Sequence, residues 1–115
     1  MKVMYISGPF GTKADDRDDY HLIDRNIILA SEYALAVSRK GWAPFCPHKN
    51  TAGFQHVKDL SPEFWMDVCL EFVTRSDAIL MIPGWEKSPG AVREKHIADI
   101  SGVMVFYAKD GIPEA

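Results

Sequence analysis

Five consecutive apolar residues, Ala78-Ile79-Leu80-Met81-Ile82, stand between Asp77 and the turn-forming pair Pro83-Gly84. The run is too short for a core helix and has no polar alternate position. It reads as a strand buried on both faces, and such a strand needs a covering layer above and below it. The rest of the chain supplies those layers. Val3-Met4-Tyr5-Ile6 is a second short apolar run, closed by Ser7-Gly8-Pro9. Trp42-Ala43-Pro44-Phe45-Cys46 is a third, and Pro44 marks it as an edge strand or an early end. Val103-Met104-Val105-Phe106 is the fourth.

Helical spacing fills the intervals. Ile23, Ile27, Ala30, Ala34 and Val37 form one apolar stripe over Tyr20 to Arg39, with Gly41 suited to the C′ position. Ser61-Pro62-Glu63 reads as an N-cap, an N1 proline and a first-turn acid. Phe64, Val68 and Phe72 continue that helix to about Arg75. Ser88-Pro89-Gly90 opens another helix in the same way, and Gly102 ends it. Gly11 to Asp19 is polar and aperiodic, a loop expected to be mobile, and Pro47 to Leu60 is expected to be irregular.

The order βαβαβαβ predicts one α/β domain over residues 1–115. Its sheet is mainly parallel, of four to five strands, with helices on both faces and right-handed crossovers. Ligands of such sheets bind beyond the C-terminal strand ends, at the switch in strand order. The loops there are Gly8–Asp19, Pro47–Leu60 and Pro83–Gly90.

Composition narrows the function. Thirteen Lys and Arg against 16 Asp and Glu give a net charge of -3, a poor surface for a nucleic-acid polymer. No apolar run approaches the roughly 20 residues that span a bilayer. Met1-Lys2-Val3-Met4-Tyr5 enters strand sequence directly, unlike a signal peptide. Cys46 and Cys69 make no CxxC pair, as expected of a reduced, cytoplasmic protein.

Glu94 is the most informative residue. On a helix from Ala91 it shares a stripe with Ala98, Ile97 and Ser101 and faces inward, near the positive helix end. An inward carboxylate is either part of a structural ion pair or a nucleophile or base at a cleft. Ser88 caps that helix and can leave N–H groups of Gly90 and Ala91 for an anion. Gly8-Pro9-Phe10-Gly11-Thr12-Lys13 can cradle an anion but matches neither GxxxxGK[ST] nor GxGxxG. Tyr5 reads as a core residue near the top of its strand. Cys46, His48 and His56 match no standard zinc spacing, so no metal and no cofactor is expected. Cys46 and His48 are no better as a nucleophile pair, because nothing orients the histidine. Trp42, Phe64, Trp65 and Trp85 suit core or subunit contacts.

Tyr5-Ile-Ser-Gly-Pro, Pro47-His-Lys-Asn-Thr-Ala-Gly-Phe and Asp77-Ala-Ile-Leu-Met-Ile-Pro-Gly-Trp-Glu-Lys-Ser-Pro-Gly-Ala-Val-Arg-Glu94 together resemble the nucleoside 2-deoxyribosyltransferase superfamily. The resemblance runs from Tyr5 to Phe106 and is closest to small bacterial and phage members. It implies a Rossmann/flavodoxin-like three-layer sandwich. It also implies that Glu94 attacks C1′ of a deoxyribosyl group and displaces the base, as in retaining glycosidases, with Tyr5 orienting Glu94. Gly8, Pro9, Phe10, His48, Asn50, Trp85, Ser88 and Gly90 would line the substrate. Ser88 stands where nucleoside transferases carry an acid. The deoxynucleoside 5′-monophosphate N-glycosidases carry a phosphate-binding serine there, so the resemblance favours a nucleotide hydrolase. Where the superfamily has a site Asp, this chain has Cys69, and Asp67 is the nearest replacement if the helix is shifted.

The expected activity is N-glycosidic cleavage or transfer on small nucleotides or nucleosides, in a homo-oligomer. A non-catalytic nucleotide-binding or sensing module is the alternative, and a protein-interaction domain the third reading. Glu94 paired to Arg93 or Lys95 would favour the binding module; a buried, perturbed Glu94 would favour the enzyme. A contiguous exposed apolar patch would favour the interaction domain.

Overall fold

The computed structural model describes residues 1–10, 20–51, 54 and 57–115. The loop predicted over Gly11–Asp19 lies outside the described residues, as does His56. Four strands, β1 (Val3–Ser7), β2 (Ala43–Phe45), β3 (Ala78–Met81) and β4 (Met104–Tyr107), alternate with helices. The long helices are α1 (Tyr20–Arg39), α3 (Pro62–Thr74) and α4 (Pro89–Ser101). The sheet is all parallel in the order β2-β1-β3-β4. Pro44 therefore lies on an edge strand, as its missing N–H requires.

Side-chain alternation along β1 divides the core. Met4 and Ile6 point to the face covered by Ala30 and Val37 of α1. Tyr5 points to the opposite face, with Val73, Ala91 and Ala98 of α3 and α4. Every residue of β3 is buried, as its unbroken apolar run demands. Asp77 joins the strand starts: its Oδ2 accepts from Val3 N–H at 2.7 Å, and its own N–H donates to the Val3 carbonyl at 3.0 Å.

The helix signals hold. Ser61 Oγ accepts from Phe64 N–H at 3.0 Å and Ser88 Oγ from Ala91 N–H at 3.3 Å, each ahead of an N1 proline. Gly102 closes α4 at a φ of 75°, where a side chain would be strained.

Two features depart from expectation. Pro47–Asn50 forms one helical turn, α2, within the segment read as irregular. The C-terminal residues also cross back over the α1 face. Pro113 accepts from the Trp42 indole at 2.8 Å, and Ala115 N–H donates to Lys40. This tail covers part of a face on which α1 is the one long helix among the described residues.

The ends of β1 and β3 meet closely. Ile82 N–H donates to Ser7 at 2.9 Å, and a Cβ on Gly8 would lie 2.3 Å from Ile82 Cγ1. Ile82 is 1% exposed and has no room to retreat. Gly8→Ala is therefore expected to destabilise the fold by about 1–3 kcal/mol. Thermal melts would check this; an unchanged Tm would mean that the ends of β1 and β3 can spread.

Candidate active site

Tyr5 and Ser7 are two residues apart on β1, so they share a face. Glu94 comes down from α4 onto that face. Its Oε1 accepts from Ser7 Oγ at 2.7 Å, and its Oε2 accepts from the Tyr5 hydroxyl. Glu94 is only 6% exposed, and no cation pairs with it among the described residues. Arg93 instead bridges to Glu63 of α3, and Lys95 to Asp99. Burial drives the Glu94 carboxyl up to about 7, against the pull of the two hydroxyl donors. Burial, then the Glu94 charge, holds the Tyr5 phenol well above its ordinary range, so it stays a donor.

This carboxylate opens into a cavity of about 730 Å³ at the C-terminal strand ends. The loop after β1 contributes Gly8 and Phe10, and the segment after β2 contributes His48 and Phe54. Trp65, Met66 and Cys69 of α3 form one wall, and Ser88, Gly90 and Glu94 another. Positions 62, 65, 66 and 69 recur at helical spacing, which explains why one face of α3 meets the space.

His48 is 4% exposed, and its Nε2 lies 2.8 Å from the Pro9 carbonyl. A carbonyl only accepts, so Nε2 carries the proton. Burial pushes the ring's pKa down, although the carbonyls of Pro9 and Gly8 favour protonation. The imidazole is neutral at pH 7, and its Nδ1 has no partner among the described residues. Phe10 packs edge-on against the ring, and its carbonyl accepts from Asn26 of α1 at 2.8 Å.

The structure brings together Tyr5, Gly8, Pro9, Phe10, His48, Ser88, Gly90 and Glu94. It does not bring in Asp67, Asn50 or Trp85. Asp67 is exposed beside Arg93, because two residues along a helix turn it about 200° away from Cys69. The unshifted register puts Cys69 in the cavity and leaves Asp67 outside. Asn50 is exposed on the last residue of α2. Trp85 packs on Tyr107, with ring centroids 5.7 Å apart, and serves the core. The N–H of Ala91, expected to be free for an anion, is taken by Ser88 Oγ; that of Gly90, in the first turn, has no intrahelical acceptor.

Sequence reading passed over Ser7, although its place two residues after Tyr5 on one strand announces a shared face. Phe54, Lys58 and Trp65 were also missed as cavity residues. They come from a segment without periodicity and from a helix face whose orientation only the fold decides.

Among the described residues, no three His, Cys, Asp or Glu side chains form a metal-binding group, and Cys46 is a free thiol. No described helix is long and apolar enough to cross a membrane. A comparison with curated proteins found no match. Residues 2–107 match the family described as a domain of unknown function, DUF4406. That span holds all four strands, the three long helices and every cavity residue named above, and the chain belongs to the DUF4406 family.

Proposed function

We propose that this protein cleaves the N-glycosidic bond of small nucleotides, with Glu94 as the nucleophile. One observation carries the reading: a buried carboxylate, held by two hydroxyl donors and unpaired with any described cation, opens into a cavity of ligand size. A purely structural glutamate at this depth would be expected to have a charged partner. Glu94 has hydroxyls, which orient a carboxylate without quenching it.

In the proposed reaction a Glu94 oxygen attacks C1′ and the base leaves. Water then cleaves the glycosyl ester, or a second base takes the sugar. Tyr5 and Ser7 fix the carboxylate rotamer. The start of α4, with the Gly90 N–H and the exposed Lys58 across the cavity lining, suits a 5′-phosphate. This favours a nucleotide over a nucleoside. Phe10, Phe54 and Trp65 offer aromatic surface to a base. Likeness to the nucleoside 2-deoxyribosyltransferases supports the same chemistry through the residues already quoted. A homo-oligomer belongs to this reading too: Ile28 and Leu35 on α1 are more than half exposed, apolar surface that a second copy can cover.

A nucleotide-binding module on the same fold is the second reading. It is favoured by the cavity's single carboxylate among the described residues, where glycosidases commonly use two. Chromatography of free base separates the two. The protein is incubated with deoxynucleoside and ribonucleoside 5′-monophosphates and the matching nucleosides, beside Glu94→Ala. Base from monophosphates, absent with the variant, is expected. Base from nucleosides alone would remove the phosphate role of the α4 start. No base from any compound would leave the binding module, and a nucleotide thermal-shift screen would then identify its ligand.

A further inference from the structure

We propose that the Cys69 thiol protonates the departing base, a role that rests on the glycosidase reading above. Breaking the C1′–N bond leaves an electron pair on a base nitrogen, and that nitrogen needs a proton. Glu94 cannot supply it while acting as the nucleophile, and no other carboxylate lines the cavity among the described residues. His48 has one proton, committed to the Pro9 carbonyl, and its Nδ1 has none to give. The Tyr5 proton is directed at Glu94, and Tyr5 is fully buried behind the cavity wall. Thr51 donates to the Pro47 carbonyl, and alcohols such as Ser61 and Ser88 are weak acids. Lys58, exposed in the cavity lining, is committed to the 5′-phosphate in the reading above.

Among the described residues, Cys69 is the remaining proton carrier. It lines the cavity with Glu94, packs against the cluster containing Tyr5, and interacts with both the Tyr5 hydroxyl and the Glu94 charge. Burial first, then the Glu94 charge, raises the thiol to about 11, so it is fully protonated before reaction.

The electrons and protons balance. A Glu94 oxygen bonds to C1′ as the C1′–N bond breaks and its pair moves to nitrogen. Nitrogen takes the S–H proton, leaving a neutral glycosyl ester and a thiolate. Water then attacks C1′ and gives its proton to the thiolate, and Glu94 leaves as carboxylate. The sum is one water consumed for one free base and one sugar. The Glu94 charge that opposes thiolate formation is consumed in the step that needs the proton, so the thiol becomes a better acid as the base departs.

The test compares Cys69→Ser and Cys69→Ala with the wild type on two substrates. One is the nucleotide that releases base most rapidly. The other carries 4-nitrophenolate in place of the base, a leaving group that departs without a proton. Both variants are expected to lose about 10²- to 10⁴-fold on the nucleotide and to keep the wild-type rate on the nitrophenyl compound. Equal loss on both substrates would make Cys69 structural and overturn the proposal, as would unchanged rates on the nucleotide. Cys69→Ser changes only sulfur to oxygen, so it carries the test if the alanine variant misfolds. Wild-type protein inactive on both substrates would overturn the glycosidase reading itself, before any variant is compared.

Discussion

Glu94→Gln is expected to abolish base release while making the folded protein more stable above neutral pH. An amide oxygen is a poor nucleophile and cannot hold the charge that attack requires, so the rate falls by at least about 10³-fold. Stability moves the other way because the wild-type carboxyl is raised from 4.5 to about 7 in the folded protein. The sign follows from linkage. Below about pH 4 the group is protonated in both states and adds no pH-dependent term. Between about pH 4 and 7 the unfolded chain ionises first, so wild-type stability falls as pH rises. Above 7 the full penalty is present, about 3 kcal/mol for a shift of this size. Glutamine has no such titration, and its amide can still serve Tyr5 and Ser7. Denaturant melts at pH 4 and pH 8 should show the variant gaining on the wild type only at pH 8. An equal difference at both values would mean that Glu94 carries no ionisation penalty, and base release by the variant would remove it as the nucleophile.

The same opposition of function and stability explains which parts of the site were legible in the sequence. Glu94 stood out because an acid on an apolar helical stripe breaks the local pattern. β3 and the two Ser-Pro helix starts were legible because each rests on local chemistry, an unbroken apolar run or an N-cap before an N1 proline. Cys69 against Asp67 was harder to judge. Both lie on α3, and their roles depend on how that helix is rotated against α4. Val73 and Cys69 of α3 pack in one cluster with Ala91 and Ala98 of α4, and Arg93 bridges to Glu63, contacts that exist only in the folded pair. Trp85 misled for a related reason: the turn after β3 sits beside the cavity, yet the indole goes to Tyr107 on β4. The C-terminal strap was invisible because Pro113 and Ala115 act through a carbonyl and an N–H, which no side-chain pattern reports.

Tyr5→Phe tests how the carboxylate is held ready. The phenyl ring still fills its place and still stacks on Phe45, 5.7 Å away between centroids. What is lost is one of two hydrogen bonds that favour the charged form of Glu94. A hydrogen bond to a charged group contributes about 1.5–3 kcal/mol, so base release should fall about 10- to 150-fold. The pH profile should move as well. With that donor gone, burial acts on Glu94 against Ser7 alone, and the carboxyl titrates at higher pH than in the wild type. Attack needs the ionised form, so the rising limb of the profile shifts to the alkaline side by about one pH unit or more. Serine at position 7 provides the internal comparison: Ser7→Ala removes the other donor and should shift the same limb in the same direction. A fall in rate with the limb unmoved would show that the Tyr5 hydroxyl sets the aim of the carboxylate and not its charge. An unchanged rate and an unchanged limb would separate Tyr5 from the chemistry and leave Ser7 as the one donor that matters.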